Sequence, residues 1–264
     1  MERARIHETW SSPRAFFLAA IGSAVGLGNI WRFPYLAGEN GGSAFVLVYV
    51  LSILLVATPM LTAELLIGRR GGQSPVNTLR LLARDEGCHP LWRFHGYWML
   101  SIVVLGSSFF SVISAWCLAY VPLAASGSFS GVDGVASEHL LASLQAAPVR
   151  IIAWHGLFMG LTVWVVAGGI HRGLERAVRF LMPTLFVLLV LLVGYAAVIG
   201  DLGAGLAFLF TPDFSRMNAE AILNTLTQSF LSVSVGVGVM VTYGAYLPRG
   251  VSIPMLRFSE MMTY

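Results

Sequence analysis

Residues 21–34 read Ile21-Gly22-Ser23-Ala24-Val25-Gly26-Leu27-Gly28-Asn29-Ile30-Trp31-Arg32-Phe33-Pro34. They lie inside an apolar run from about Ala15 to Leu36, yet they include three glycines, an asparagine, an arginine and a proline. A bilayer core of roughly 30 Å asks for about 20 apolar residues of continuous helix, because each unpaired backbone group in lipid costs several kcal/mol. A span broken at its middle therefore needs protein or a water-filled cavity to satisfy the freed backbone. Transporters bind ions and substrates at such broken helices. The break is the expected site.

Composition supports a membrane setting. Hydrophobic residues make up 56% of the chain and charged residues 11%, with a mean hydropathy of +0.76. Soluble domains carry about 25% charged residues, so the chain reads as a polytopic membrane protein, all-α. The net charge of +3 and the scattered arginines exclude nucleic acid as a partner. The spans run approximately over 15–36, 44–67, 97–121, 150–169, 180–200 and 220–246, which predicts six transmembrane helices. Between them lie a short Gly-rich loop, a basic loop over 68–96, a Gly/Ser-rich loop over 122–148, a tight basic turn over 169–179 and a loop over 201–218.

Arginine placement orients these spans. A cytoplasmic N-terminus puts Arg3, Arg5, Arg14, Arg69, Arg70, Arg80, Arg84, Arg93, Arg172, Arg176, Arg179, Arg249 and Arg257 on the inside. That is thirteen of the sixteen arginines, as the positive-inside rule requires. Both termini are then cytoplasmic, and the plasma membrane is the expected location. The fifth span is almost purely apolar and reads as scaffold. The sixth carries Thr225, Thr227, Gln228, Ser229, Ser232, Ser234, Gly236, Gly238 and Thr242, too polar for a lipid-facing helix. Two interrupted helices, first and sixth, are the pattern of a transporter built from inverted repeats.

The stretch from Gly22 to Tyr35, followed by Glu39-Asn40-Gly41-Gly42-Ser43-Ala44-Phe45, resembles the signature of the neurotransmitter:sodium symporters. Pro59, Glu64, Gly68, Arg69, Gly71-Gly72, Gly173-Leu174-Glu175, Met182-Pro183-Thr184, Thr211-Pro212-Asp213-Phe214 and Gln228 through Tyr246 extend the resemblance in family order. It covers about residues 10–254. It implies sodium-coupled symport of amino acids or related small solutes, with sodium ions as coupling ions, no organic cofactor and no enzymatic activity. The implied partners are a small-molecule substrate and the lipid bilayer.

The resemblance also implies a midplane site. The Ala24 carbonyl, the Asn29 side-chain oxygen and the Ser232 oxygens match ligands of one sodium, and the carbonyls of Gly22 and Val25 match part of a second cage. Unwound carbonyls can replace a cation's hydration shell. Amides around Gly26, Leu27 and Gly28 open a half-helix whose positive end suits a substrate carboxylate. Gly26 stands where monoamine carriers have aspartate, which favours amino acids. Ser23, Leu231, Ser234 and Val237 line the matching pocket, and Arg32 with Gln228 matches the outer gate. Phe110 replaces a carboxylate-binding tyrosine. Gly106 and Val237 stand where the family's leucine carrier is bulkier, implying a larger pocket.

Taken singly, these residues have plainer readings. Gly22/Gly26 and Gly68/Gly72 have the spacing of helix-packing glycines. Asn29 could be an interhelical hydrogen bonder, Arg32 could snorkel, and Glu64 reads as a structural hydrogen-bond partner. The resemblance fails after Pro254. The family fold has two inverted five-helix repeats, so residues 1–264 are expected to be one transmembrane domain: the first repeat plus one helix of the second, a truncated member. The alternative function is thus a non-transporting fragment of such a symporter. An enzyme finds no HExxH or GxSxG motif in its support.

Overall fold

The computed structural model of the chain describes residues 9–131 and 134–247. Arg3, Arg5, Arg249 and Arg257 of the basic clusters, and the resemblance beyond Leu247, lie outside the described residues. Among the described residues every regular element is helical. In chain order these are α1 (Pro13–Ala24), α2 (Gly28–Glu39), α3 (Ser43–Gly71), α4 (Pro75–Asp85), α5 (Trp92–Ala125) and α6 (Gly134–Gln145). There follow α7 (Pro148–Ala167), α8 (Gly169–Ile199), α9 (Leu202–Phe210), α10 (Ala219–Val233) and α11 (Val239–Ala245).

Four of these helices, α3, α5, α7 and α8, are long and apolar enough to cross a membrane, and the bent pair α1–α2 makes a fifth if counted as one span. The expected sixth span is instead two short helices. Its middle, Ser234 to Gly238, turns through positive φ at Ser234 (55°), Gly236 (87°) and Gly238 (78°), a geometry that ends a helix. Three connections prove partly helical, holding α4, α6 and α9. Asp201 starts α9 by accepting from the Ala204 amide at 2.9 Å. The expected basic turn over 169–179 is helical as well. A π-helical turn over Gly169–Leu174 runs straight into Glu175. Only glycine permits the chain to fold back there, since a Cβ on Gly173 would lie 1.9 Å from the Val165 carbonyl oxygen.

Local chemistry explains where helices start and widen. Pro13 sits in the first turn of α1, and the Ser12 hydroxyl accepts from the Ala15 amide at 3.2 Å. Pro34 and Pro59 each follow a π-helical turn, Gly28–Arg32 and Ile53–Ala57. A proline inside a helix lacks the amide and crowds the preceding turn, and a wider turn relieves that clash. The Thr58 hydroxyl donates to the Ile53 carbonyl at 2.8 Å and so satisfies an acceptor within the π turn.

The chain forms two compact units, one comprising Met1–Leu100 with Glu175–Tyr264, the other Ser101–Leu174. In the second unit, Tyr120 stacks on Phe129 at 5.4 Å between ring centroids. The first unit holds the broken helices. Its fully buried side chains include Phe16, Phe45, Leu65, Met240 and Val241, but also Thr225, Gln228, Ser229 and Ser232. At its centre α11 crosses α3 at backbone contact. A Cβ on Gly68 would lie 2.0 Å from the Val241 carbonyl oxygen, and one on Gly244 would lie 2.5 Å from that of Leu65.

No side chain can yield at that crossing, so Gly68→Ala must push two backbones apart. Overpacking costs typically 1–3 kcal/mol, and here the upper end, about 3 kcal/mol, is expected. Gly194→Ala on α8, where a Cβ meets open space, should leave stability unchanged or slightly raised. Thermal unfolding of the chain in detergent checks both, and equal transitions for G68A and the parent would contradict the crossing.

Candidate functional site

The interrupted helices meet at their interruptions. Val25, at φ −83° and ψ 83°, ends α1, and α2 departs from it at 52°. Opposite lies the turn 234–238, where the Ser234 hydroxyl donates to the Ser23 carbonyl at 3.0 Å.

Asn29, in the first turn of α2, connects both sides. Its Nδ2 donates to the Ala24 carbonyl at 2.7 Å, bridging the break in its own span. Its Oδ1 accepts from the Ser232 hydroxyl at 2.5 Å and from Gln228 Nε2 at 3.2 Å. Gln228 is completely buried. Its Nε2 also lies 3.3 Å from the Gly28 carbonyl and 3.4 Å from Ser232 Oγ, so two amide protons serve three acceptors. Gln228 Oε1 accepts from Arg32 Nη1 at 2.9 Å. A guanidinium only donates, so that contact fixes which way the amide points.

The structure therefore brings together Ala24, Asn29 and Ser232, the oxygens expected around one sodium, and it joins Arg32 to Gln228, the expected gate pair. Ser23 and Ser234 meet directly. Gly22 packs on Met182, whose sulfur would lie 3.2 Å from an added Cβ, while Val25 occupies the break itself. Around Gly26 and Gly28 a Cβ would meet nothing within 4 Å, so this part of the break faces open space. Leu27 and Val237 are half-buried, whereas Leu231 is largely exposed. Gly106 and Phe110 stand on α5 in the second unit.

Glu64 occupies a place that its position in the sequence does not announce. Its Oε1 accepts from the Gly236 amide at 2.6 Å, pairing a backbone group in the turn with an acid buried on α3. Its Oε2 is buried with no hydrogen-bond partner among the described residues. Trp10, unremarked in the sequence, donates from Nε1 to the Tyr243 carbonyl at 3.2 Å and from its amide to the Tyr246 carbonyl at 3.0 Å. Beside it the Ser11 amide and hydroxyl donate to the two Glu175 oxygens at 2.8 and 2.6 Å. These contacts tie the start of α1 to α11 and α8.

Removing the Glu64 acceptor leaves the half-buried Gly236 amide unpaired, at about 1 kcal/mol, the low end for a lost partner. Glu64→Ala should accelerate hydrogen exchange across residues 234–238, whereas Glu64→Gln, which keeps an acceptor oxygen, should preserve protection. Slow exchange persisting in E64A would show that the turn is held by other contacts.

Comparison with known proteins follows the same lines. The Sodium:neurotransmitter symporter family matches residues 7–130 and 144–253. YhdH, an uncharacterized sodium-dependent transporter of Bacillus subtilis (strain 168), is 41% identical over 245 residues, covering 93% of this chain and 53% of that protein. An uncharacterized sodium-dependent transporter of Haemophilus influenzae is 31% identical over 248 residues, covering 92% of this chain and 54% of its own length. The crystal structure of MhsT in complex with L-phenylalanine superposes with a TM-score of 0.85 at 38% identity, covering 98% of this chain and 58% of that one. The chain spans about half the length of the relatives it matches.

Proposed function

Because the chain belongs to the sodium:neurotransmitter symporter family, we propose that it contributes the ion and substrate site of a sodium-coupled amino-acid symporter. The observation that carries this reading is the convergence of Ala24, Asn29 and Ser232 through one asparagine side chain. A sodium ion is a hard cation and takes oxygen ligands. The Ala24 carbonyl lies one hydrogen bond from Asn29 Nδ2 and Ser232 Oγ one from Asn29 Oδ1, and a rotated Ser232 hydroxyl offers a lone pair where it now offers a proton.

The substrate carboxylate would lie against the amides at the start of α2, where the helix dipole is positive and Gly26 and Gly28 leave space. Its charge would face the sodium directly. Since the structural relative was crystallised with L-phenylalanine, aromatic amino acids are the first substrates to test. Arg32 and Gln228 would close the site on its outer side. Gly22 and Val25 would give carbonyls to a second sodium. The transport cycle is assigned to a complete carrier containing this chain. Such a carrier crosses the plasma membrane with the α1–α2 and α10–α11 pairs each serving as one span, six in all for residues 1–264, and with both ends of that stretch in the cytoplasm.

Two outcomes test this. In the complete carrier, Asn29→Ala and Ser232→Ala should each weaken sodium and substrate binding together. A lost charge-assisted contact is worth about 1.5–3 kcal/mol, and linkage passes the loss equally to the partner ligand. Ser101→Ala should affect neither. Equilibrium binding of labelled amino acid across a sodium titration measures both constants, and substrate affinity that ignores sodium in the parent would sink the mechanism. For topology, a reporter fused after Ser128 should face outward and one fused after Arg84 inward, with the reverse at both sites overturning the orientation.

A further inference from the structure

Between the end of α3 and the start of α5 the chain builds a second feature, apart from the broken helices. Helix α4 buries Thr78, Leu79 and Ala83, with Leu79 packed on Met99 and Val241. It crosses α5 at close range, since a Cβ on Gly96 would lie 2.6 Å from Val76 Cα. That crossing turns two i, i+4 pairs toward one space, Val76 and Arg80 from α4, Arg93 and Tyr97 from α5. Together with Phe94 they line a cavity of about 540 Å³, within the range of about 300–1,000 Å³ usual for small-ligand sites.

The chemistry of the lining is specific. Arg80 Nη2 donates to Asn77 Oδ1 at 2.8 Å, a neutral partner that steadies it, and no ion pair engages it among the described residues. The Arg93 amide donates to the Pro90 carbonyl at 3.3 Å, but its guanidinium makes no hydrogen bond or ion pair among the described residues and lies over the Phe94 ring at 5.0 Å. Of the acids that end α4, Glu86 pairs with Arg70 and Asp85 has an interaction of its own. Two guanidinium groups framed by aromatic rings call for a planar or tetrahedral anion, because the guanidinium fork matches phosphate oxygens.

Position says where that anion comes from. At 1.5 Å per residue the 34 residues of α5 span about 51 Å, against roughly 30 Å of hydrocarbon, so one or both ends must emerge into the headgroup region. The N-terminal end carries Trp92, Phe94, Tyr97 and Trp98, all largely exposed, as residues of a membrane interface are. On the orientation proposed above, this end faces the cytoplasmic leaflet, which holds anionic lipid.

We propose that Arg80 and Arg93, with Phe94 and Tyr97, bind the phosphodiester headgroup of an anionic glycerophospholipid in the cytoplasmic leaflet. The inference rests on the membrane orientation given under the proposed function, but not on sodium coupling. The test is native mass spectrometry of the chain after equilibration with equal amounts of phosphatidylglycerol and phosphatidylcholine, without sodium or amino acid. The parent should retain phosphatidylglycerol in preference. A direct charge-assisted hydrogen bond from a guanidinium to the phosphate is worth at least about tenfold in affinity, so R80Q and R93Q should each lose about that factor and the double variant about 100-fold. R84Q, one turn further along α4 and outside the cavity, should lose less than twofold.

Both side chains are exposed, so neither change threatens folding; should the double variant aggregate, the single variants carry the test. An R84Q loss equal to the others would replace the site with diffuse surface charge. Equal retention of the two lipids would overturn the proposal. Glycerol 3-phosphate competing as effectively as the lipid would assign the cavity to a soluble phosphate instead. Failure of sodium linkage with lipid retention intact would strike only the transport reading.

Discussion

An amide or carbonyl left unpaired in a bilayer interior costs several kcal/mol, and the structure is organised around meeting that demand at two interrupted helices. Each interruption frees backbone groups, and their partners come from other elements. The Ala24 carbonyl is met by the Asn29 side chain, the Ser23 carbonyl by the Ser234 hydroxyl, and the Gly236 amide by Glu64 on α3. The polar residues that look out of place in apolar helices are those that make the interruptions tolerable. They are also the groups gathered at the candidate site.

The geometry of that gathering is a ladder. Asn29 and Arg32 lie three residues apart on α2, while Ser232 and Gln228 lie four apart on α10, and the rungs pair 29 with 232 and 32 with 228. Rising numbers on one helix meet falling numbers on the other, so the two run antiparallel. Gln228 bonds to members of both rungs. Any rearrangement at Arg32 therefore reaches Asn29 through one amide group, which links a candidate gate to a candidate ion ligand without a moving domain.

Much of this was legible in the sequence, for a physical reason. Glycines, an asparagine and a proline inside an apolar run conflict with a plain lipid-facing helix, and the conflict marks the break around Val25. The same reasoning located the polar half of the sixth span. What stayed hidden were pairings across distance. Nothing near Glu64 announces that its partner is an amide 172 positions away, and nothing near Trp10 points to the carbonyls of Tyr243 and Tyr246. The helicity of residues 169–179 was missed because two glycines and several charges suggest a turn, whereas a wider helical turn accommodates both. The sixth span reads as polar and interrupted, yet the positive φ at Ser234, a non-glycine residue, and its contact with the Ser23 carbonyl have no local signal.

The glycine crossing of α3 and α11 has a consequence for permeation. With a carbonyl oxygen 2.0 Å from where a Cβ would stand on Gly68, the seam has no room for a water molecule or a lipid methyl group. It acts as a gasket. Neither a hydrated ion nor a water file fits between these two helices where Gly68 meets Val241 and Gly244 meets Leu65.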